Sequence, residues 1–269
     1  MKKDVSIILP SIRPQNLEKF FEATKLACKK GTFEIVVVSP YDLPDSLKKE
    51  SRIKYLRSYQ SPTTASQVGT MLCNARYLYN TTDDGLIEED AIDEALEMSE
   101  TLKGQDIINM IYEEGVLDPE TLEPLEKHSS HHPPEYWNVG FHGLDRHNGV
   151  DSSWGMCMHF FMQLDLYNYM GGYDCTFEYS NHAIHDLMFR LQSVGSKIHC
   201  MPRTVFKCSH LPGISGDHQP VNDAQLGHDE PYFNEVYGMP NAAKNRARVN
   251  YDNWRQEPDV WTRRFSDVI

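Results

Sequence analysis

The stretch TTDDG, residues 81 to 85, sets two carboxylates side by side where an apolar run, YLYN, gives way to the acidic segment IEEDAIDEALE. Like charges in contact repel, so the pair is costly unless a cation lies between them or water surrounds both. Neighbouring side chains on an extended chain point to opposite sides, so Asp83 and Asp84 need not grip one ion together. A division of labour suits them: one binds a hard divalent cation, Mg2+ or Mn2+, while the other accepts from a sugar or ribose hydroxyl. On the motif alone, the simpler reading is a polar strand-to-helix turn in which Asp84 caps the acidic helix.

The elements that must position this pair are legible in the apolar patterning. DVSIILP and FEIVVVSP are continuous, β-branched-rich runs and predict strands covered on both faces. Between them QNLEKFFEATKLACKKG predicts a helix, with Leu17, Phe20, Phe21, Thr24 and Ala27 at helical spacing and Gly31 as its stop. A strand around IKYLRS, a helix over TTASQVGTMLCNAR and a strand ending at TTDDG follow. The acidic helix carries Ile92, Ala95, Leu96, Ser99 and Leu102 on one face, ends at Gly104, and precedes a strand over DIINMIY. This alternation predicts a largely parallel α/β sheet, and ligands of such sheets bind outside the carboxyl ends of the strands. Three candidate segments fall there, PSIRP, SPYD and TTDDG, so parallel neighbours would bring Ser11, Arg13, Ser39, Asp83 and Asp84 to one crevice.

From Tyr112 to Ser153 the periodicity fades into a long segment rich in Pro, His and acid, a length of loop that usually serves function. Regular structure resumes with SWGMCMHFFMQLDLYNYMGGYD, a helix HAIHDLMFRLQSVG and a strand KIHCMPRTVFKCSH; the tail from Leu211 is loop-rich.

The composition is that of a folded soluble protein of enzyme size: 269 residues, 40% hydrophobic and 24% charged. A net charge of -13 argues against nucleic acid as a partner, since phosphate contacts need clustered positive charge. No apolar run approaches the roughly 20 residues of a transmembrane helix, and MKK leads into a strand rather than a secretory signal. The six cysteines contain no CxxC pair, which predicts reduced thiols and no structural zinc. These features predict a cytoplasmic protein, free or peripheral to a membrane.

The ordered set VSIILPSIRP, EIVVVSP, TTDDGLIEEDAIDEAL, YMGGYD, HDLMFRLQSVGSKIHCMP and VFKCSH resembles the family 2 glycosyltransferases of the GT-A nucleotide-sugar fold, over residues 4 to 212. The resemblance implies a GT-A domain over residues 1–215, with a nucleotide-binding half to 112 and an acceptor half from 151, followed by a loop and helix extension over 216–269. It implies a metal-dependent, inverting transfer of sugar from a nucleoside-diphosphate sugar to an acceptor hydroxyl. Asp83 and Asp84 resemble the DxD-type motif, with Asp84 as metal ligand and Asp83 on the ribose or donor sugar. Pro10, Ser11, Arg13 and Gln67 would join the donor site, and Ser39 stands where family members often carry an acid that reads the base. His210, just after the last strand, or His218 in SGDHQP, would supply a further ligand to Mn2+ or Mg2+.

On the acceptor side the resemblance implies a base six residues before the helix arginine. Arg190 has Ile184 there and Asp186 four before it, so Asp186 is the expected base, with His185, His182 and Glu178 in reserve. Trp137, Trp154, Tyr136 and Tyr173 offer ring faces to a sugar or fill the core. HSSHHPP reads as loop near the acceptor. The basic and aromatic C-terminal stretch suits an anionic lipid surface or an anionic acceptor, with a packed terminal helix or dimer contact as the simpler reading. Ser39 and the shifted Asp186 motivate an alternative, a GT-A binding module without catalysis. A nucleotidyltransferase ranks lower, because PSIRPQN has no glycine to cradle a triphosphate.

Overall fold

The computed structural model describes residues 2–117, 124–129, 154–209, 216–246, 248–249 and 260–268. The apolar runs form the centre of a seven-stranded sheet: β1 (Lys3–Pro10), β2 (Phe33–Ser39), β3 (Ile53–Arg57), β4 (Ala75–Asn80), β6 (Ile107–Asn109), β9 (Phe160–Gln163) and β10 (Ile198–Cys200). Their order is β10-β6-β9-β4-β1-β2-β3; all neighbours pair parallel except β9, which runs antiparallel to both β4 and β6.

Period-two patterning divides the core. Ile8, Val36, Val38 and Leu78 face one side, against α2 (Pro62–Thr70) and α5 (Ser180–Ser193). Val5, Ile7, Leu9, Ile35, Val37, Tyr77 and Tyr79 face the other, against α1 (Leu17–Ala27) and α3 (Ala91–Ser99). The face predicted for α1 is the buried one, Leu17, Phe20, Phe21, Thr24 and Ala27.

A second sheet, in the order β5-β11-β7-β8, gathers β5 (Gly85–Ile87), β11 (Phe206–Ser209), β7 (Tyr112–Leu117) and β8 (Pro124–Ser129). It overturns three expectations. The segment after Tyr112 contains two strands rather than unbroken loop. KIHCMPRTVFKCSH is two strands in different sheets, split around Pro202, which has no N–H for a ladder. Asp84 does not cap the acidic helix, because β5 intervenes and the residue before α3 is Asp90, in the left-handed region at φ 61°. Gly85 makes the join feasible: a Cβ there would lie 2.1 Å from the Lys207 carbonyl oxygen.

The tail is more helical than its composition suggested. After α4 (Leu164–Tyr169) and α5 come α6 (Gln219–Ala224), a π turn at Gln225–Asp229, α7 (Glu230–Tyr237), α8 (Ala242–Asn245) and α9 (Thr262–Phe265). Phe233, Val236, Tyr237, Ala242 and Ala243 join the α5 side of the core, so this region packs against α5. The six cysteines are free thiols, and no described helix is long and apolar enough to cross a membrane.

Candidate active site

The β1–β4 register dictates where the site begins. Ile8 pairs with Asn80, so the chain three residues beyond each brings Ser11 opposite Asp83. Ser11 Oγ donates to Asp83 Oδ2 at 2.9 Å, and the backbone N–H groups of Ile12 and Arg13 donate to the same oxygen at 2.9 Å each. Arg13 completes the clamp with an ion pair to Oδ1, and Asn16 Nδ2 holds the Asp83 carbonyl at 2.8 Å. Successive backbone N–H groups around an anion make a nest; here the anion is a side chain of the next strand loop. Asp83 is therefore buried and spoken for by its own chain.

Asp84 points elsewhere, as adjacent residues on an extended chain must. Its Oδ1 accepts from Thr82 Oγ1 at 2.6 Å and from Cys208 Sγ at 3.4 Å, and its carbonyl accepts from Ser209 N–H at 2.7 Å. Beside it are two histidines. His218 has its pKa lowered by burial, which outweighs the attraction of Asp84 and Asp217 for its proton. His159 is pushed down to about 3 by burial, with Thr81 Oγ1 at 3.3 Å and the rings of Tyr112 and Phe206 packed on it.

These groups line a cleft of about 330 Å3. Its floor is the strand ends, Pro10 to Arg13 and Thr82 to Asp84; one wall is Val38, Pro40, Ser58, Gln60 and Pro62; the other is Tyr179, Ser180, Val221, Trp261, Arg264 and Phe265. The last wall is fixed by Trp261, whose N–H donates to the Tyr59 carbonyl at 2.9 Å and whose Nε1 donates to Glu178 Oε2 at 3.1 Å.

Pro10, Ser11, Arg13, Asp83, Asp84 and His218 are thus brought together as expected. Six other candidates, Ser39, Gln67, Asp186, His185, His182 and Glu178, are not part of the cleft lining. Ser39 is buried, its Oγ accepting from Tyr41 N–H, while its neighbours Val38 and Pro40 face the cleft. Gln67 binds the GGYD turn: Oε1 accepts from Tyr173 N–H at 2.8 Å and Tyr167 OH at 2.7 Å, and Nε2 donates to the Gly171 carbonyl. Asp186 is 0% exposed and paired with Arg190 at 2.7 Å, one helical turn on, with Tyr237 OH and Arg246 also on it. Arg190 in turn donates to the Met170 and Gly172 carbonyls.

Gln67 and Asp186 therefore serve the same GGYD turn from two sides. A carboxylate enclosed by two arginines and a tyrosine, out of reach of the cleft, is an ion-pair anchor rather than a base in this arrangement. His185 packs among His182, Phe189 and Phe233 on the same buried helix face. Trp154 and Tyr173 belong to the core, whereas His210, Tyr136, Trp137 and residues 130–134 lie outside the described residues. Missed from sequence were His159, Tyr179, Trp261 and Arg264; the signal for the last two was the basic and aromatic WTRRF run.

No family model matches the chain, and no curated protein matches it. Solved structures do. The S. aureus TarS 1–349 structure superposes with a TM-score of 0.52 at 9% identity, covering 93% of this chain and 71% of that one. The architecture is GT-A. TarS 1–349 in complex with UDP gives a TM-score of 0.53 over the same shares at 9% identity. A further TarS structure gives 0.52 at 10% identity, over 86% of this chain and 42% of that one. At this identity the likeness carries the fold of the GT-A chain and nothing about its individual side chains.

Proposed function

We propose that this chain transfers a sugar from a nucleoside-diphosphate donor to an acceptor hydroxyl, in a divalent-metal-dependent and inverting reaction. The observation that carries the reading is the convergence of the Ser11–Arg13 and Thr82–Asp84 loops in one cleft at the carboxyl ends of a GT-A sheet. UDP in the TarS comparison supports a nucleotide as the donor's handle.

The residues present suit Mn2+ or Mg2+. Asp84 Oδ2 accepts no hydrogen bond from a described residue, and burial lowers the His218 pKa, which favours the neutral imidazole that a ligand needs. Among the described residues no three ligating side chains gather, which leaves the remaining positions to phosphate oxygens and water, the usual sharing for these ions. Asp84 and His218 would hold the ion, with His210 as a further donor in this proposal. When bound, it neutralises charge growing on the departing diphosphate. Arg13 orients the floor loop by its grip on Asp83, and Pro40, Val38 and Pro62 exclude water from the nucleoside end. On the acceptor side Tyr179 and Trp261 offer ring faces to a sugar. Glu178 does not itself line the cleft, but it precedes Tyr179 and is tied to Trp261 and Arg263 through Oε2, so in this proposal its other oxygen takes the role of base in place of Asp186.

A second reading, donor binding without transfer, is favoured by the enclosed position of Asp186. Calorimetry with UDP, GDP, dTDP and CDP sugars in the presence of Mn2+, followed by an assay for nucleoside diphosphate released on adding glycan acceptors, separates the two. Binding with release supports transfer, binding without release supports the second, and no binding to any donor removes both.

A further inference from the structure

Arg13 and Arg264 come from opposite ends of the chain, yet both line the cleft and both hold Asp217. Arg13 Nη2 donates to one carboxylate oxygen of Asp217; Arg264 Nη1 reaches the other at 3.3 Å, and Arg264 Nη2 takes the Asp217 carbonyl. The arginine side chains are only 15% and 16% exposed, against 36% for Asp217, which is not part of the cleft lining. Without that carboxylate two guanidinium groups would face each other half-dry at close range, a costly arrangement.

A carboxylate bridging two arginines uses the donor geometry that also binds phosphate. We propose that Arg13 and Arg264 form a clamp for the donor's diphosphate, and that Asp217 is the internal anion occupying it until the donor arrives. This rests on the donor reading above. A doubly charged diphosphate entering with its divalent ion competes with Asp217 for the same guanidinium donors. Releasing the more exposed Asp217 to water frees the Arg264 guanidinium and Arg13 Nη2, while Arg13 Nη1 keeps its pair with Asp83. The exchange favours ligands with two phosphates over a bare nucleoside, which has nothing to displace a carboxylate with.

The full-length chain is titrated by calorimetry with Mn2+ present, using UDP, GDP, dTDP and CDP, the nucleoside matching the tightest binder, and inorganic pyrophosphate. Arg264→Gln weakens the diphosphate about 30-fold, as loss of one partner in a desolvated charge pair does, and Arg264→Lys recovers part of it. Asp217→Asn tightens the diphosphate about three- to tenfold, a change that mere loss of folding cannot produce; the nucleoside is unmoved by either. Nucleoside diphosphate bound equally by wild type and Arg264→Gln, or more weakly by Asp217→Asn, overturns the clamp and leaves the donor reading standing. Pyrophosphate bound through Arg264 without nucleoside-diphosphate binding keeps the clamp and removes the donor reading. Binding of neither removes both.

Discussion

Asp83 and Asp93 do the same thing at opposite ends of α1. Asp83 accepts from Ser11 Oγ and the N–H groups of Ile12 and Arg13 in the loop before the helix; Asp93 accepts from the N–H groups of Lys29, Lys30 and Gly31 in the loop after it, at 2.8 to 3.0 Å. Each is a buried carboxylate that replaces solvent for a turn. What separates them is company: Arg13, Asp84, His218, His159 and Arg264 crowd the first and line a cleft, while the second borders Leu96 and Cys28. A carboxylate that collects backbone N–H groups is a device for fixing loops, and only what converges beside it makes a site.

The sharpest test of that contrast is Asp84, which shares the turn but fixes less of it. Asp84→Ala is expected to lower Mn2+-dependent nucleoside-diphosphate affinity at least 100-fold by calorimetry, with a change in urea-unfolding free energy below about 1 kcal/mol. Asp83→Ala and Asp93→Ala are expected to destabilise alike, by roughly 2–4 kcal/mol, because each orphans several buried N–H groups. They part in binding: Asp83→Ala costs about tenfold in nucleotide affinity with Mn2+ still required, and Asp93→Ala leaves affinity unchanged. Equal binding losses from both would mean that loop rigidity alone, not the cleft, governs affinity.

The smallest expected effect concerns the dryness of the cleft floor. His159 titrates at about 3 in the folded chain against an ordinary 6.5, so below pH 6.5 the unfolded chain takes up a proton that the folded chain refuses. Stability is therefore present above 6.5 and lost as pH falls toward 3, by up to about 1.4 kcal/mol per pH unit. Urea unfolding at pH 7, 6 and 5 should show a shallower loss in His159→Gln than in wild type; an unchanged slope would mean that water reaches this ring and that the floor is wetter than the Asp93 turn.

Which parts were legible follows from the same physics. β1, β2 and β4 declare themselves because strands buried on both faces need unbroken apolar runs, and their parallel register then carries Ser11 to Asp83 with no further information. β7 and β8 do not, since their partners are remote or irregular: Tyr112–Leu117 pairs with Phe206–Ser209 some ninety residues on, and its ladder with Pro124–Ser129 shifts register. On α5 the spacing of Asp186 and Arg190 was visible, but an i, i+4 pair reads identically on a buried or a cleft-facing stripe. Only the packing of Tyr237 and Arg246 from the tail decides between them. Arg264 and Trp261 were hidden for a related reason, as residues that reach the cleft from a four-residue helix and its N-cap leave no periodic trace.

The Ser11–Asp83 contact also acts as a proofreading mark for assembly. A one-residue slip of β4 against β1 would turn Asp83 to the opposite face, leaving a charge buried without partners and the Ile12 and Arg13 N–H groups empty. Mispaired sheets are thereby penalised by the same group that shapes the cleft floor. Attempts to alter ligand preference by replacing Asp83 should consequently be read first in refolding yield, and compensating changes sought in Ser11 and Asn16 before any in the cleft walls.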